Sequence, residues 1–412
     1  MNLEVQAQRK RLTWGRVALV IYAALALSYL VLWGMAYAQE LTWRADFTML
    51  YTGGALVRDG HGAQLYDLDL QTRYQQRILA GRSFRDGLLP FNYPPYVALL
   101  LSPLTRLPLT TAYGVWMLLQ TGLLGWLLRR LWQITSSWPH QERMTCLVTI
   151  LAFTPLLNTL LLGSFSLLLL VSWVEGYVQL KAFRERRAGL WLALGALKPQ
   201  SVVAFGVATL GARRWRVLAA VVMIGSAVFI STTLLLGFPI WPDFAAVLAK
   251  VSQLYDAMGI VLLDMHNFKA VLAGVLGPGR MNLINGLSWA AFAGVMLWTL
   301  WAWRGPWRPG TPDFDLRLAV TCALGLFFSP HLYPQDSLLW VFPAFLGYAY
   351  LRERRLPRTA YTVFLLNWPW VFLLDEFAPW RLASIRPAVL VTAALLLWLC
   401  VLLWRSTPKE PA

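Results

Sequence analysis

Apolar runs of membrane-spanning length recur along the chain from Val17 to Leu403, and short basic clusters separate them. A helical span needs about 20 apolar residues. That length predicts spans at about 14–38, 144–162, 165–181, 216–237, 281–303, 314–330, 335–351, 358–374 and 384–404. The basic clusters are Arg9-Lys10-Arg11, Arg129-Arg130, Lys181 to Arg187, Arg213 to Arg216, Arg304 to Arg308, Arg352 to Arg358, and Arg405. Lys and Arg gather on the cytoplasmic side of membrane proteins. With all seven clusters there, the chain crosses an even number of times between neighbours.

Two stretches then need particular shapes. Residues 188–210 start and finish on the cytoplasmic side, so they read as a hairpin of two short helices turning at Lys198-Pro199-Gln200. A charge and a proline at that depth are tolerated only inside protein or against a water-filled cavity. Residues 94–132 must cross an odd number of times although Pro103 to Pro108 breaks them in two, so one piece is short or re-entrant. The reading is one all-α unit over 1–412, a bundle of ten to twelve spans with both termini inside. Ala36-Tyr37-Ala38 has the form of a signal-peptide cleavage site, but the apolar run before it exceeds the usual 7–15 residues and reads as a retained first span. The external segments are a long first loop at 39–93, the tip Gly163-Ser164, residues 237–280, the tip Pro330 to Asp336, and Asp375 to Arg381. Within the first loop, Leu68, Tyr74 and Ile78 have the spacing of a helix that could lie along the membrane surface.

Composition agrees with this class. Of 412 residues, 58% are hydrophobic and 14% charged, where a soluble domain carries about 25% charged residues. The net charge of +16 would suggest nucleic acid in a soluble protein, but the positive-inside clusters account for it and no nucleic-acid partner is expected. Cys146, Cys322 and Cys400 all lie inside apolar runs, and their odd number argues against a disulfide framework. No internal repeat is apparent, which weakens a transporter or lipid-flippase reading without removing it. Glycine-loop, His-Glu-x-x-His and Gly-x-Ser-x-Gly motifs are absent, and the four histidines share no metal-ligand spacing.

Four polar features stand out. Asp46 lies just beyond the first span, where partial desolvation raises a carboxylate's pKa and improves it as a proton acceptor; a helix N-cap is the alternative. Phe91-Asn92-Tyr93-Pro94-Pro95 places polar groups where the loop returns to the membrane, or is a plain loop-to-helix junction. Lys198 is a phosphate partner, or half of a buried ion pair, for example with Glu175, or a side chain that snorkels to the cytoplasmic face. His331, in Ser329 to Asp336, suits phosphate binding or proton transfer, or is simply solvated. His266-Asn267 offers a weaker version of the same chemistry. Together they suit a cavity for a substrate with a lipid tail, a phosphate and a sugar.

These residues resemble a known family. Asp46-Phe47-x-x-x-Tyr51, Leu65-Tyr66-Asp67, Phe91 to Leu100, Ala188-Gly189, Leu197 to Gln200, Arg213 to Arg216 and Ser329-Pro330-His331 occur in the order seen in bacterial polyprenol-phosphate-mannose-dependent α-1,2-mannosyltransferases. Those are integral membrane glycosyltransferases of the GT-C class. The resemblance implies a bacterial plasma-membrane enzyme with its site facing outside. Its donor would be a polyprenyl-phosphate sugar, its acceptor a glycan or glycolipid, and no further cofactor or metal is expected. Asp46 would be the general base of an inverting transfer, with Lys198 and His331 at the donor phosphate. Tyr51, Asn92, Tyr93, Gln200, His266, Asn267 and Tyr333 would contact sugar or acceptor. The chain departs from the family pattern at Gly163-Ser164-Phe165-Ser166, where Gly-Gln-x-Asn is common, and at Tyr333 to Asp336, where a Trp and paired histidines are common.

Overall fold

The computed structural model describes residues 2–39, 46–82, 88–254, 262–377 and 385–406. Among these residues the regular structure is eighteen α-helices joined by short turns, the all-α class that the apolar runs predict. In chain order they are α1 (Asn2–Ala38), α2 (Asp46–Arg58), α3 (Leu68–Leu79), α4 (Pro95–Leu101), α5 (Leu109–Ile134) and α6 (His140–Leu151). Next come α7 (Thr154–Leu162), α8 (Ser166–Lys181), α9 (Glu185–Leu192), α10 (Pro199–Gly211), α11 (Trp215–Leu236) and α12 (Ile240–Leu254). The last six are α13 (Phe268–Leu276), α14 (Met281–Ala302), α15 (Pro312–Phe327), α16 (Val341–Glu353), α17 (Thr359–Phe377) and α18 (Pro387–Ser406).

Four described helices are long and apolar enough to cross a membrane: α1 from Arg16, α11, α14 and α18. The pair α6 and α7, bent by 46°, makes a fifth as one broken span. That is fewer full-length spans than the expected ten to twelve. The reason lies in packing. α8 and α15, at 165–181 and 314–330, are only 16 residues long and almost wholly buried by neighbouring helices. The expected span at 335–351 is divided between a 3₁₀ turn over Pro334–Trp340 and α16. Their side chains, with Trp173, Trp303 and Trp340 fully buried, form the main core.

Three of the basic clusters, at Lys181, Arg214 and Arg352 to Arg358, meet acidic partners at one end of the bundle. Arg352 and Arg358 both reach Glu142, at 2.8 and 3.0 Å, and Lys181 reaches Asp315 at 2.9 Å. Arg354 pairs with Asp313 at 2.6 Å, and Arg214 with Glu185 at 3.3 Å. Apart from Lys181–Asp315, whose carboxylate is buried, these partly exposed pairs add about 1 kcal/mol or less each. Their information is topological, because they tie the 140s, 180s, 210s, 310s and 350s to the same end.

The Glu185–Arg214 pair also closes the base of the 188–210 hairpin, as the basic clusters predict. The turn falls at Lys198, whose backbone (φ −146°, ψ 74°) leaves the helical region, and Pro199 starts α10. Proline disfavours a helical residue before it and suits a helix's first position, so the sequence itself sets this break. Likewise 94–132 divides into the short α4, a 3₁₀ turn over Ser102–Arg106, and the long α5.

At the opposite end, α2, α3 and α4 form a compact cap with its own aromatic core around Phe47, Tyr66, Phe91 and Trp116. Asp67 caps α3 by accepting from the Leu70 N–H at 2.9 Å. The buried face of α3 carries Leu70, Gln71, Tyr74 and Gln75, so it docks on protein, where the sequence suggested a membrane-surface helix. Gln71 and Gln75 act as backbone clamps. Gln71 accepts from the Phe91 N–H at 2.7 Å and donates to the Leu65 carbonyl at 2.8 Å, and Gln75 accepts from the Leu89 N–H at 3.0 Å. Gln71→Leu therefore strands two buried backbone groups, each costing about 1–3 kcal/mol. It should lower the thermal transition of the detergent-purified protein by several degrees; an unchanged transition would show that the clamp is redundant. Of the first-loop charges, Arg85 and Asp86 lie outside the described residues.

Candidate active site

Three segments distant in sequence converge where the cap meets the bundle. The start of α2 brings Asp46, the hairpin tip brings Lys198, and the turn after Tyr333 brings Gln335 and Asp336. Each is positioned by local sequence. Phe47 packs against Tyr113 and Trp116, holding the first turn of α2 on α5. Gly163 permits the approach: its φ is +69°, and a Cβ there would lie 2.9 Å from the Phe47 Cβ. Trp116 and Gln120 donate to the Gly163 and Ser164 carbonyls at 2.9 and 2.6 Å, fixing this tip.

The polar contacts run as a chain. Gln335 Nε2 donates to Asp46 Oδ2 at 3.2 Å. Its neighbour Asp336 is buried and accepts at Oδ1 from Lys198 Nζ at 2.5 Å and from Ser166 Oγ at 2.6 Å. Ser166 lies 3.0 Å from Ser164 Oγ, and the Tyr333 N–H reaches Asp336 Oδ2 at 3.4 Å. Lys198 thus has a carboxylate partner, but it is Asp336. Glu175, the partner suggested by sequence, is taken by Arg130 at 2.5 Å and Trp126 at 2.7 Å.

Burial makes Asp46 more basic than an ordinary aspartate. Burial raises its pKa from 3.8 to about 6; Lys198 pulls it down, Asp336 pushes it up, and the Gln335 hydrogen bond lowers it. It remains mostly ionised at pH 7 while holding a proton more readily than a free aspartate. Burial together with Lys269 and Lys198 lowers His331 to about 4. That histidine is neutral at pH 7 in the ligand-free chain.

The other expected site residues divide into two groups. Tyr93 is buried beside Lys198, its ring against Phe165 at 5.6 Å and its carbonyl accepting from Tyr66 at 2.7 Å. Asn92 precedes it, half-buried, and Gln200 is half-buried in the first turn of α10. Tyr333 opens the turn that carries Gln335 and Asp336. By contrast, the Tyr51 hydroxyl is committed to the Thr105 and Leu107 carbonyls at 3.2 and 2.7 Å, within the cap. His266 is buried between Ser337 at 2.8 Å and Asp375 at 3.2 Å. Asn267 caps α13 through the Ala270 N–H at 3.1 Å and donates to the Ser329 carbonyl at 2.9 Å. With the His266 N–H on the Leu332 carbonyl at 2.7 Å, this pair anchors the 329–337 segment from behind.

Sequence reasoning missed Gln335, Asp336 and Ser166 as site members, and Lys269 as a neighbour of His331. It also missed Tyr96, whose hydroxyl donates to the Ala196 carbonyl and pins the Pro94-Pro95 loop to the hairpin tip. The signal for the first three was present: they occupy the two stretches where the chain departs from the family pattern. Among the described residues, no group of three His, Cys, Asp or Glu side chains could hold a metal ion.

The chain is an all-α membrane protein, and comparison with known proteins gives its family. Residues 91–330, more than half of the chain, match glycosyltransferase family 87. The chain belongs to that family and is a glycosyltransferase, so the transporter alternative falls. It is also 26% identical over 408 residues to the polyprenol-phosphate-mannose-dependent alpha-(1-2)-phosphatidylinositol pentamannoside mannosyltransferase of Mycolicibacterium smegmatis. That alignment covers 94% of this chain and 87% of the relative. No solved structure matches.

Proposed function

We propose that this glycosyltransferase moves a sugar, mannose by analogy with its mycobacterial relative, from a polyprenyl-phosphate donor to a hydroxyl of a glycan or glycolipid acceptor. The observation that carries this reading is the single polar chain in which Asp46, Gln335, Asp336 and Lys198 meet. Asp46 removes the acceptor hydroxyl proton as the oxygen attacks the anomeric carbon. The bond from that carbon to the phosphate oxygen breaks, the configuration inverts, and the lipid phosphate leaves with the bonding electron pair. Lys198 opposes the charge that gathers on the leaving oxygen. Neutral His331, with Asn92, Tyr93, Gln200 and Tyr333, supplies hydrogen bonds to sugar and acceptor.

The lipid tail has a fitting neighbour. An apolar groove of about 690 Å³ runs between residues 100–107, α5 and α8, lined by Leu101, Leu104, Leu123 and Leu168. It shares Trp116 and Phe165 with the aromatic wall behind Asp46 and Tyr93. Its size is in the usual range for small-molecule pockets, and we assign the phosphate-proximal part of the polyprenyl chain to it. The ion-paired basic clusters at the other end favour an orientation with the site on the outer face of the plasma membrane and both termini inside.

The test is direct. Purified protein in lipid nanodiscs should transfer labelled mannose from polyprenyl-phosphate mannose to a lipid-extract acceptor, and should ignore nucleotide-linked mannose. Turnover of the nucleotide sugar alone would overturn the reading. The rate should also rise with pH through about 6 as Asp46 ionises and then hold level, because the base must start deprotonated. A rate independent of pH between 5 and 7 under single-turnover conditions would remove Asp46 as base.

A further inference from the structure

The Lys198–Asp336 pair lies where the proposed mechanism needs a free cation, and this has a consequence for catalysis. Asp336 is held from behind by Ser166 at 2.6 Å and is nearly inaccessible, whereas Lys198 keeps the more exposed side chain of the two (12% against 3%). The lysine is therefore the more accessible partner of the pair and the aspartate backs it. On the reading proposed above, the reaction changes the charge that Lys198 meets. The donor is a phosphodiester with one negative charge, but the spent lipid is a phosphomonoester carrying roughly −1.5 to −2 at pH 7. An ammonium facing the cavity alone would hold the product more tightly than the substrate and slow each cycle at release.

We propose that Asp336 is a positioning residue that competes with lipid phosphate for Lys198, weakening the grip on the phosphomonoester product so that it leaves. The carboxylate is already in hydrogen-bonding contact with the ammonium. Ser166 and Lys198 share its Oδ1, so the carboxylate can release the lysine as phosphate arrives while keeping the serine, without any movement of the backbone. No bond is made or broken in this step. The inference rests on the donor reading, and it concerns the ratio of product affinity to donor affinity, which a purely structural ion pair would not tune.

The experiment measures binding of undecaprenyl monophosphate to the full chain in nanodiscs, beside steady-state and single-turnover transfer. Asp336→Asn is isosteric and keeps an amide oxygen for Ser166 and Lys198. It should retain a cooperative thermal transition and bind the monophosphate on the order of tenfold tighter, as expected when a close competing charge is removed. Its steady-state kcat should fall while the first turnover appears as a burst. Asp336→Glu should return the affinity toward that of the wild type. Ser166→Ala, which removes the donor that shares Asp336 Oδ1 with the lysine and so leaves more of the carboxylate's charge to Lys198, should shift affinity in the opposite direction, toward weaker monophosphate binding. If Asp336→Asn does not fold, the Ser166→Ala result decides. Unchanged or weaker binding by Asp336→Asn, or unchanged or tighter binding by Ser166→Ala, would overturn the inference while leaving the donor reading intact. Failure of the wild type to bind either lipid phosphate would remove both.

Discussion

Asp46→Asn should give a correctly inserted protein that is at least as heat-stable as the wild type and nearly inactive. A positioned general base contributes typically 10²–10⁴-fold, and the substitution removes only the proton acceptor. The stability half follows from linkage. The folded-state pKa of Asp46, about 6, lies above its ordinary 3.8, so the folded protein binds the proton more tightly than the unfolded chain. The ionised carboxylate therefore costs folding free energy above pH 6, and the cost is absent below the unfolded pKa. Asparagine removes the charge and keeps an oxygen for the Gln335 amide. Thermal unfolding at pH 7.5 should show the midpoint of Asp46→Asn unchanged or raised, while initial rates fall by at least a hundredfold. A lower midpoint with wild-type activity would mean that Asp46 is a helix cap and nothing more.

Lys198→Met should be the more damaging change, for two separable reasons. It removes the cation that opposes the leaving phosphate, and removing one such electrostatic group costs roughly 10²–10³ in rate. It also leaves Asp336 buried without its ion-pair partner, and breaking a buried pair this way costs about 3–5 kcal/mol. The single variant should therefore lose both transfer and thermal stability. The double variant Lys198→Met with Asp336→Asn removes both charges, so it should regain most of the lost midpoint and none of the lost transfer. Thermal scans and initial rates on the four proteins separate the two effects. Transfer restored in the double variant would show that Lys198 serves the fold only.

The fold class, the short α4 and the break at Lys198 were legible because each rests on a local cause. Apolar runs exclude a soluble chain, Pro103 to Pro108 interrupt a span, and Pro199 forbids a helical Lys198. Asp46 was legible as an acid just past a long apolar helix. The partner of Lys198 was not, because Asp336 is 138 residues away in sequence and only the packed structure joins them. Glu175 looked equally suitable on a hydropathy plot. It lies nine residues along α8 from Ser166, about 13 Å further toward the basic end at 1.5 Å per residue. Tyr51, His266 and Asn267 were read from sequence as sugar or acceptor contacts, and the structure places their hydrogen bonds where they hold α2, α13 and the 329–337 segment. Of the two departures from the family pattern, one supplies Ser166 and the other Asp336, and they are in direct contact. Read separately they look like two losses; in the structure they form one interaction.

On the proposed reading, this chain uses Asp46 to move a sugar from a lipid phosphate to a hydroxyl. The most direct test of that reading is a single-turnover reaction of the nanodisc-embedded protein with isotopically labelled polyprenyl-phosphate mannose, the product's anomeric centre being read by NMR. The account predicts one labelled glycoside per active site, with configuration inverted relative to the donor and absent with Asp46→Asn. A product of retained configuration, or one formed at the wild-type rate by Asp46→Asn, would contradict it.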